Sequence, residues 1–319
     1  MLKNQTTILI PAFQEERFLR QCLESAVPQA DCVLLGDNAS TDGTEAICRE
    51  FVHQYKHVHY VRHETNVGAV QNIVRLASRV ETEFVLQIGA HDLLPDRYVA
   101  TLKNLLDDNP DSVCAYGNCS RIEQDGTVSK TLDFANVHAG MRDDDPYIRV
   151  ATFFRGKQPC DLIFGLFRSV TAIPILLELK QIAGCDHILP VAALLDGKFV
   201  HTSATAYLRR MVHPNDTDKD YMTRIVGDHS STRMPRDFTA AGMQILDRVW
   251  KHHDNQQNLS PEQEKAFKEL LFQIALKFDT PTAHPFWTGV FVLRRLWRKW
   301  CKAFKCKVIP GYAERKNLK

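Results

Sequence analysis

In the first ninety or so residues, short continuous apolar runs alternate with segments of helical period, and this pattern constrains the fold more than any other feature. Thr7–Ile10, Cys32–Leu35, Val58–Val61 and Phe84–Ile88 each read as a buried strand. Between them, Glu16–Val27 places Phe18, Leu19, Cys22, Leu23 and Ala26 at helical spacing, a second helix begins near Thr44, and Ala69–Arg79 reads as a third. Strands without polar alternation, joined by helices, predict an α/β fold: a Rossmann-like, mostly parallel central sheet with helices on both faces. Such sheets collect ligands beyond the carboxyl ends of their strands. Four loops stand there: Pro11–Glu16, Asp37–Gly43, His63–Gly68 and Gly89–Asp92.

The second half is more mixed. Val113–Ile122 and Thr127–Leu132 can pair around the Asp125-Gly126 turn. Asp143–Phe154 and Leu162–Phe167 carry no decisive pattern, Asp186–Leu195 reads as a helix, and Lys198–Tyr207 reads as a strand. Asn215–Ser231 is polar and aperiodic, which predicts a loop, and three helices follow it. The clearest of these opens at Ser260-Pro-Glu-Gln263, an N-cap serine, a proline at the first helical position and a glutamine at the capping-box position. Positions 266, 267, 270, 271, 274, 275 and 278 then form one apolar face. The expected division is a catalytic-type domain over 1–230 and a helical extension over 231–319.

Charge is unevenly placed. Residues 286–319 hold ten Lys and Arg against one acid, Glu314, within a chain of formal net charge +2, so the rest is acidic. Phe286, Val290, Leu293, Trp297, Trp300 and Phe304 follow a 4-3-4-3-4 spacing with bases opposite. That pattern over 286–307 suits an anionic membrane surface, although the same apolar face could instead pack on the preceding domain. No motif supports nucleic acid as the partner. No apolar run approaches the length of a membrane span, and the N-terminus lacks a secretory apolar core. The nine cysteines are scattered without a CxxC pair, which reads as free thiols in a reducing cytoplasm. His57, His59 and His63, and the adjacent His252 and His253, lack the companions of a zinc site and read as core or surface residues. The expected location is cytoplasmic, with peripheral attachment to the inner face of the cytoplasmic membrane.

Ile8-Leu-Ile-Pro-Ala-Phe-Gln-Glu-Glu16, Asp37-Asn-Ala-Ser-Thr-Asp-Gly-Thr44, Asn66-Val-Gly68 with Asn72, and Gly89-Ala-His-Asp-Leu-Leu-Pro95 occur in that order. In this the chain resembles the family 2 glycosyltransferases of GT-A fold, over roughly residues 6–210. The resemblance implies inverting transfer of a sugar from a nucleotide-diphosphate donor, UDP-linked in the first instance, to an acceptor hydroxyl. It also implies a glycan or lipid-linked acceptor, in cell-surface polysaccharide or lipopolysaccharide assembly. Pro11, Ala12 and Phe13 would line the nucleotide pocket, with Glu15 and His91 beside it. Asp37 would accept the imide N–H of uracil, and Asn66 and Gly68 would close over the base. Read without the family, Asp37 could equally cap its own turn, and Gly68 could simply supply an unusual backbone angle. Ser40, Thr41 and Asp42 read as loop-shaping residues.

The family's acidic cluster after the fourth strand, which holds Mg²⁺ or Mn²⁺ against the diphosphate, is depleted here. Gly89 and His91 replace acids, leaving Asp92 and His91 as metal candidates. Imidazole suits Mn²⁺ better than Mg²⁺. Asp186, at the start of a helix, is the candidate general base, with a plain N-cap as its alternative. His187, Arg209 and Arg210 are candidate diphosphate or acceptor contacts. Two other classes stay open: a non-catalytic nucleotide-sugar-binding or scaffold protein with a degenerate metal motif, and a sugar nucleotidyltransferase. The latter would carry a glycine- and lysine-rich loop after the first strand, where this chain has an acidic one.

Overall fold

The computed structural model describes residues 2–135, 139–155, 159–180, 184–210, 239–256 and 259–279. Four βα steps build its first half: β1 (Leu2–Ala12), α1 (Leu19–Ala26), β2 (Cys32–Asp37), α2 (Thr44–Gln54), β3 (Val58–Arg62), α3 (Ala69–Ala77), β4 (Thr82–Gln87) and α4 (Tyr98–Asp107). β1, β2, β3 and β4 are parallel, with β1 between β2 and β4. Ile8, Leu9 and Ile10 are wholly buried, and Val33, Leu34 and Leu35 nearly so, as continuous apolar runs require when helices cover both faces. β3 differs from its reading as a buried strand. It is the sheet's edge, and only Val58 along it is buried.

The hairpin expected around Asp125-Gly126 forms from β5 (Ser112–Ile122) and β6 (Val128–Leu132). α5 (Pro146–Arg155) follows, then β7 (Leu166–Arg168), which runs antiparallel between β4 and β5. Next come α6 (Ser169–Leu177), α7 (Ile188–Asp196) and β8 (Lys198–Arg210). β8 lies parallel to β5 and outruns the predicted strand by three residues, to Arg210. Those added residues matter, because Leu208 bridges back to Leu93 in the loop after β4 and brings Tyr207 and Arg210 against that loop.

Two of the three expected C-terminal helices are described, α8 (Thr239–Asp254) and α9 (Pro261–Asp279). The capping box forms reciprocally: Ser260 N–H donates to Gln263 Oε1 at 3.0 Å, and Gln263 N–H donates to Ser260 Oγ at 3.2 Å. Phe267, Leu270, Leu271 and Ile274 are buried in the same hydrophobic core as the sheet, as are Ile245 and Val249 of α8. The proposed boundary at 230, the 215–231 loop and the basic 286–307 segment lie outside the described residues. Among the described residues, no helix is long and apolar enough to cross a membrane, and Cys22, Cys32, Cys48, Cys114 and Cys119 are unpaired.

Candidate active site

Parallel register sets Ala12, Asp37 and Arg62 side by side at the carboxyl ends of β1, β2 and β3. Asp37 is fully buried. Its Oδ1 accepts the Ser40 N–H at 2.9 Å, and its Oδ2 accepts the Tyr60 hydroxyl at 2.8 Å and the Arg62 guanidinium. These three donors leave one lone-pair direction on a carboxylate that offers about four. Burial, reinforced by Asp37, pushes the Tyr60 hydroxyl well above its ordinary pKa, so it stays a donor. Asp37 therefore shapes its own turn through Ser40 and, at the strand end, is held by Tyr60 and Arg62.

The β1 loop is fastened to the β2 loop. Gln14 N–H donates to Ser40 Oγ, and Gln14 Nε2 donates to Thr41 Oγ1, while Gln14 Oε1 accepts the Thr41 and Asp42 N–H groups. Glu15 N–H bonds Thr44 Oγ1, Glu16 N–H bonds Asp42 Oδ2, and Gly43 N–H bonds Glu16 Oε2. Gln14 and Ala39 both take left-handed backbone angles, each with φ of 58°. Such strain costs about 1–3 kcal/mol per residue and persists only where surrounding contacts over-determine it. Pro11 and Phe13 are half-buried beside this seam, and Ala12 is buried.

Asn66 is buried, and its Oδ1 accepts the Gly68 N–H at 2.9 Å. Gly68 takes φ of 82° ahead of α3, the left-handed angle that favours glycine. Asn72 Nδ2 donates to Gly36 O, which makes its Oδ1 an acceptor for His63 Nε2–H at 3.1 Å. His63 Nδ1 is then the acceptor for Arg75 Nη1–H, and burial lowers the His63 pKa, in keeping with a neutral ring.

Asp92 is 1% exposed. Its Oδ2 accepts the Tyr207 hydroxyl at 2.6 Å, and its Oδ1 accepts the Arg210 N–H at 2.7 Å. Tyr207 in turn accepts the Gly89 N–H and lies flat on Phe164, with ring centroids 4.3 Å apart. Burial raises the Asp92 pKa, against the opposing effects of His91 and the two hydrogen bonds. The carboxylate thus latches the β4 loop to β8. Arg210 serves the same latch and differs from its reading as a diphosphate contact. Its guanidinium, 2% exposed in this residue, donates to the His91, Glu123 and Gln124 carbonyls and to Gln21 Oε1. Arg209 pairs with Asp161, a buried carboxylate that also takes the Arg121 guanidinium.

Asp186 and His187 sit in the short turn before α7, with His187 Nδ1 3.0 Å from Asp186 Oδ1. Burial pushes the Asp186 carboxyl upward, but the His187 hydrogen bond and charge outweigh it and the net shift is downward. α5 clamps α7 at both ends. Phe153 meets the His187 ring edge-on, and buried Arg149 donates to the Leu194 and Leu195 carbonyls at the far terminus.

The divalent ion implied by the resemblance finds a reduced donor set. Among the described residues no three His, Cys, Asp or Glu side chains converge to hold a metal. His91 gives its Nδ1 to Glu15 Oε1 at 2.8 Å, with Nε2 4.0 Å from Asp92 Oδ1. Gly89 presents no side chain between them, where a Cβ would fall 2.5 Å from Asp92 Oδ2 and 3.5 Å from His91 Nε2. With Asp92 1% exposed and both of its oxygens already bonded to Tyr207 and Arg210, these described residues do not by themselves make up a divalent-ion site.

Comparison with known proteins places this arrangement. The sequence profile of glycosyl transferase family 2 matches residues 7–158. The abequosyltransferase RfbV of Salmonella typhimurium is 27% identical over 143 residues, 43% of this chain and 41% of that protein. The glycosyltransferase GlyA of Streptococcus pneumoniae is 27% identical over 107 residues, 32% of this chain and 15% of that protein. The matches thus span less than half the length of these curated relatives. The crystal structure of S. aureus TarS 1-349 in complex with UDP-GlcNAc superposes with a TM-score of 0.62 at 14% identity, covering 86% of this chain and 73% of that one. The architecture is the GT-A fold. Within it, residues 7–158 are similar to glycosyl transferase family 2.

Tyr60, Arg62, Tyr207 and Asp161 were not singled out from the sequence. Tyr60 and Arg62 share a face of β3 at strand period, a signal that could have found them.

Proposed function

We propose that the chain is an inverting glycosyltransferase that moves a sugar from a UDP-sugar to an acceptor hydroxyl. The observation that carries this reading is buried Asp37 at the carboxyl end of β2, paired with Arg62 and flanked by the seam of the β1 and β2 loops. A carboxylate there accepts an imide N–H, which uracil offers and cytosine lacks. The UDP-GlcNAc bound by the similarly folded TarS supports the same donor class. Pro11, Ala12, Phe13, Asn66 and Gly68 would enclose the nucleoside.

Asp186 acts as general base in this reading. Its carboxylate takes the proton of the acceptor hydroxyl as that oxygen bonds to the anomeric carbon, and the bond from that carbon to the diphosphate breaks with its electron pair on the leaving group. His187 holds the carboxylate in place, and Arg149 and Phe153 hold the helix that carries both. A divalent ion bound mainly through the donor's own phosphates would neutralise the diphosphate, since Asp92 is held in the latch with Tyr207 and Arg210. Arg209 stands as a candidate to share that charge. A glycan or lipid-linked acceptor, in polysaccharide or lipopolysaccharide assembly at the cytoplasmic face of a membrane, accords with the basic amphipathic pattern of residues 286–307.

The test is nucleoside-diphosphate release from a panel of nucleotide sugars. Release from a UDP-sugar that drops by about 10²–10⁴-fold in Asp186→Asn, with donor affinity unchanged, supports the reading. Absence of release from every donor in the wild-type chain favours the binding or scaffold alternative.

A further inference from the structure

We infer that the chain carries a second small-molecule site, an oxyanion pocket beside the β3 edge whose ligand is a phosphate monoester held by Arg75 and Arg79. A cavity of about 480 Å³ opens between the β3–α3 loop and the second half of α3, with His63, Thr65, Arg75, Ser78 and Arg79 in its lining. That volume lies in the range of small-molecule pockets. The lining includes none of the residues assigned to the nucleoside, Pro11, Ala12, Phe13, Asp37, Asn66 or Gly68. Arg62 lines it too, but its charge is already taken by Asp37 and Glu45. The pocket therefore stands apart from the donor-site reading.

A buried chain of hydrogen bonds aims Arg75 at this cavity. Asn72 is wholly buried and fixes its amide by donating Nδ2 to Gly36 O at 2.7 Å. Its Oδ1 accepts His63 Nε2–H at 3.1 Å, and His63, 5% exposed, turns Nδ1 to Arg75 Nη1–H at 3.1 Å. That takes one of the five N–H donors of a guanidinium. A buried histidine thus holds an exposed arginine at the cavity wall. Arg79 stands four positions further on and continues the last turn, its N–H donating to Leu76 O at 3.0 Å. Like charges at that spacing repel. Among the described residues neither arginine forms an ion pair with a carboxylate, and Glu64, the acid in the lining, is exposed. A helix end favours bases in its last turn, which accounts for the charge but not for the chain that fixes Arg75. Two guanidinium forks on one cavity suit the three terminal oxygens of a phosphate ester, whereas a lone carboxylate is satisfied by one fork.

The experiment is isothermal titration of the full chain with glycerol 3-phosphate, for wild type, Arg75→Met, Arg79→Met and Arg75→Lys. Wild type should bind one molecule per chain. Each methionine variant should bind it about tenfold or more weakly, and Arg75→Lys, which keeps the charge without the fork, should recover part of the loss. UDP affinity should be unchanged in both methionine variants. Phenylglyoxal modification of wild type, read by mass spectrometry, should be slowed by glycerol 3-phosphate at Arg75 and Arg79 but not at exposed Arg49, a readout that stands even where a variant fails to fold. Cosedimentation with vesicles of phosphatidylcholine and phosphatidic acid, lost in Arg75→Met, would make the ester a lipid headgroup; titration without cosedimentation makes it soluble, and both uphold the site. No binding by wild type, wild-type affinity in either methionine variant, or modification of Arg75 and Arg79 that the ester does not slow overturns the inference. UDP affinity that falls in step with that of the ester also overturns it, because both arginines would then belong to the donor pocket.

Discussion

Replacing Tyr207 with Phe removes one oxygen atom from a ring that stays stacked on Phe164 and packed near Tyr98. That oxygen has two partners. It donates to Asp92 Oδ2 at 2.6 Å and accepts the Gly89 N–H at 3.1 Å. Loss of a hydrogen bond to a charged group costs about 1.5–3 kcal/mol, and the orphaned Gly89 N–H adds to it, so a loss of about 3 kcal/mol is expected. A domain of this size should lose roughly 6 °C or more from its unfolding midpoint. The effect has a pH signature. Burial holds the Asp92 pKa above its ordinary value, so the folded chain binds this proton more tightly than the unfolded chain. Stability contributed by this group therefore falls as pH rises from the ordinary carboxylate range through the folded pKa. Removing the Tyr207 hydroxyl raises that folded pKa further, so the deficit of Tyr207→Phe should be full at neutral pH and shrink under acid. Urea unfolding at a series of pH values reads both effects. A variant within about 0.5 kcal/mol of wild type at pH 8 would show that Asp92 does not latch the β4 loop to β8 through this hydroxyl.

Three further outcomes follow from the same geometry. His63 has its pKa lowered by burial, so the stability it contributes is complete above its unfolded value near 6.5 and is lost as pH falls from there through the folded pKa; His63→Gln should flatten that part of a urea-unfolding profile. Arg149→Met keeps the aliphatic stem but strands the Leu194 and Leu195 carbonyls, and chemical denaturation should register a loss of about 2–3 kcal/mol, together with lower kcat through the displaced α7. Asp186 is held below its ordinary pKa on balance, so kcat should stay level from neutral pH down to about 4 and fall only in stronger acid; an acid limb above pH 6 assigned to Asp186 would contradict its pairing with His187.

The first half of the fold was legible because each strand there is a continuous apolar run and each helix has its own period. Asp37, Asp92 and Asp186 could be named because they stand where those elements end. Their partners were hidden for a physical reason. The seam of Gln14 with residues 40–42, the Glu15–His91 pair and the grip of Tyr207 on Asp92 join positions 26 to 115 residues apart, and nothing in local periodicity encodes which loops meet. β3 was read as buried because apolar runs do not distinguish an edge strand from a central one. Arg210 followed the same pattern. A basic residue at a strand end suggests phosphate, and only the fold reveals the four oxygen acceptors that surround it.

The most direct measurement is the thermal stability of the purified chain against UDP, GDP, CDP and ADP, with and without Mn²⁺, for wild type and Asp37→Ala. A ligand at about 100 times its dissociation constant adds roughly 2.7 kcal/mol, enough to move the midpoint by several degrees. The donor-site reading predicts a shift with UDP that exceeds the others and disappears in Asp37→Ala, while that variant still unfolds cooperatively. No shift with any nucleotide, or a UDP shift that survives in Asp37→Ala, would contradict it.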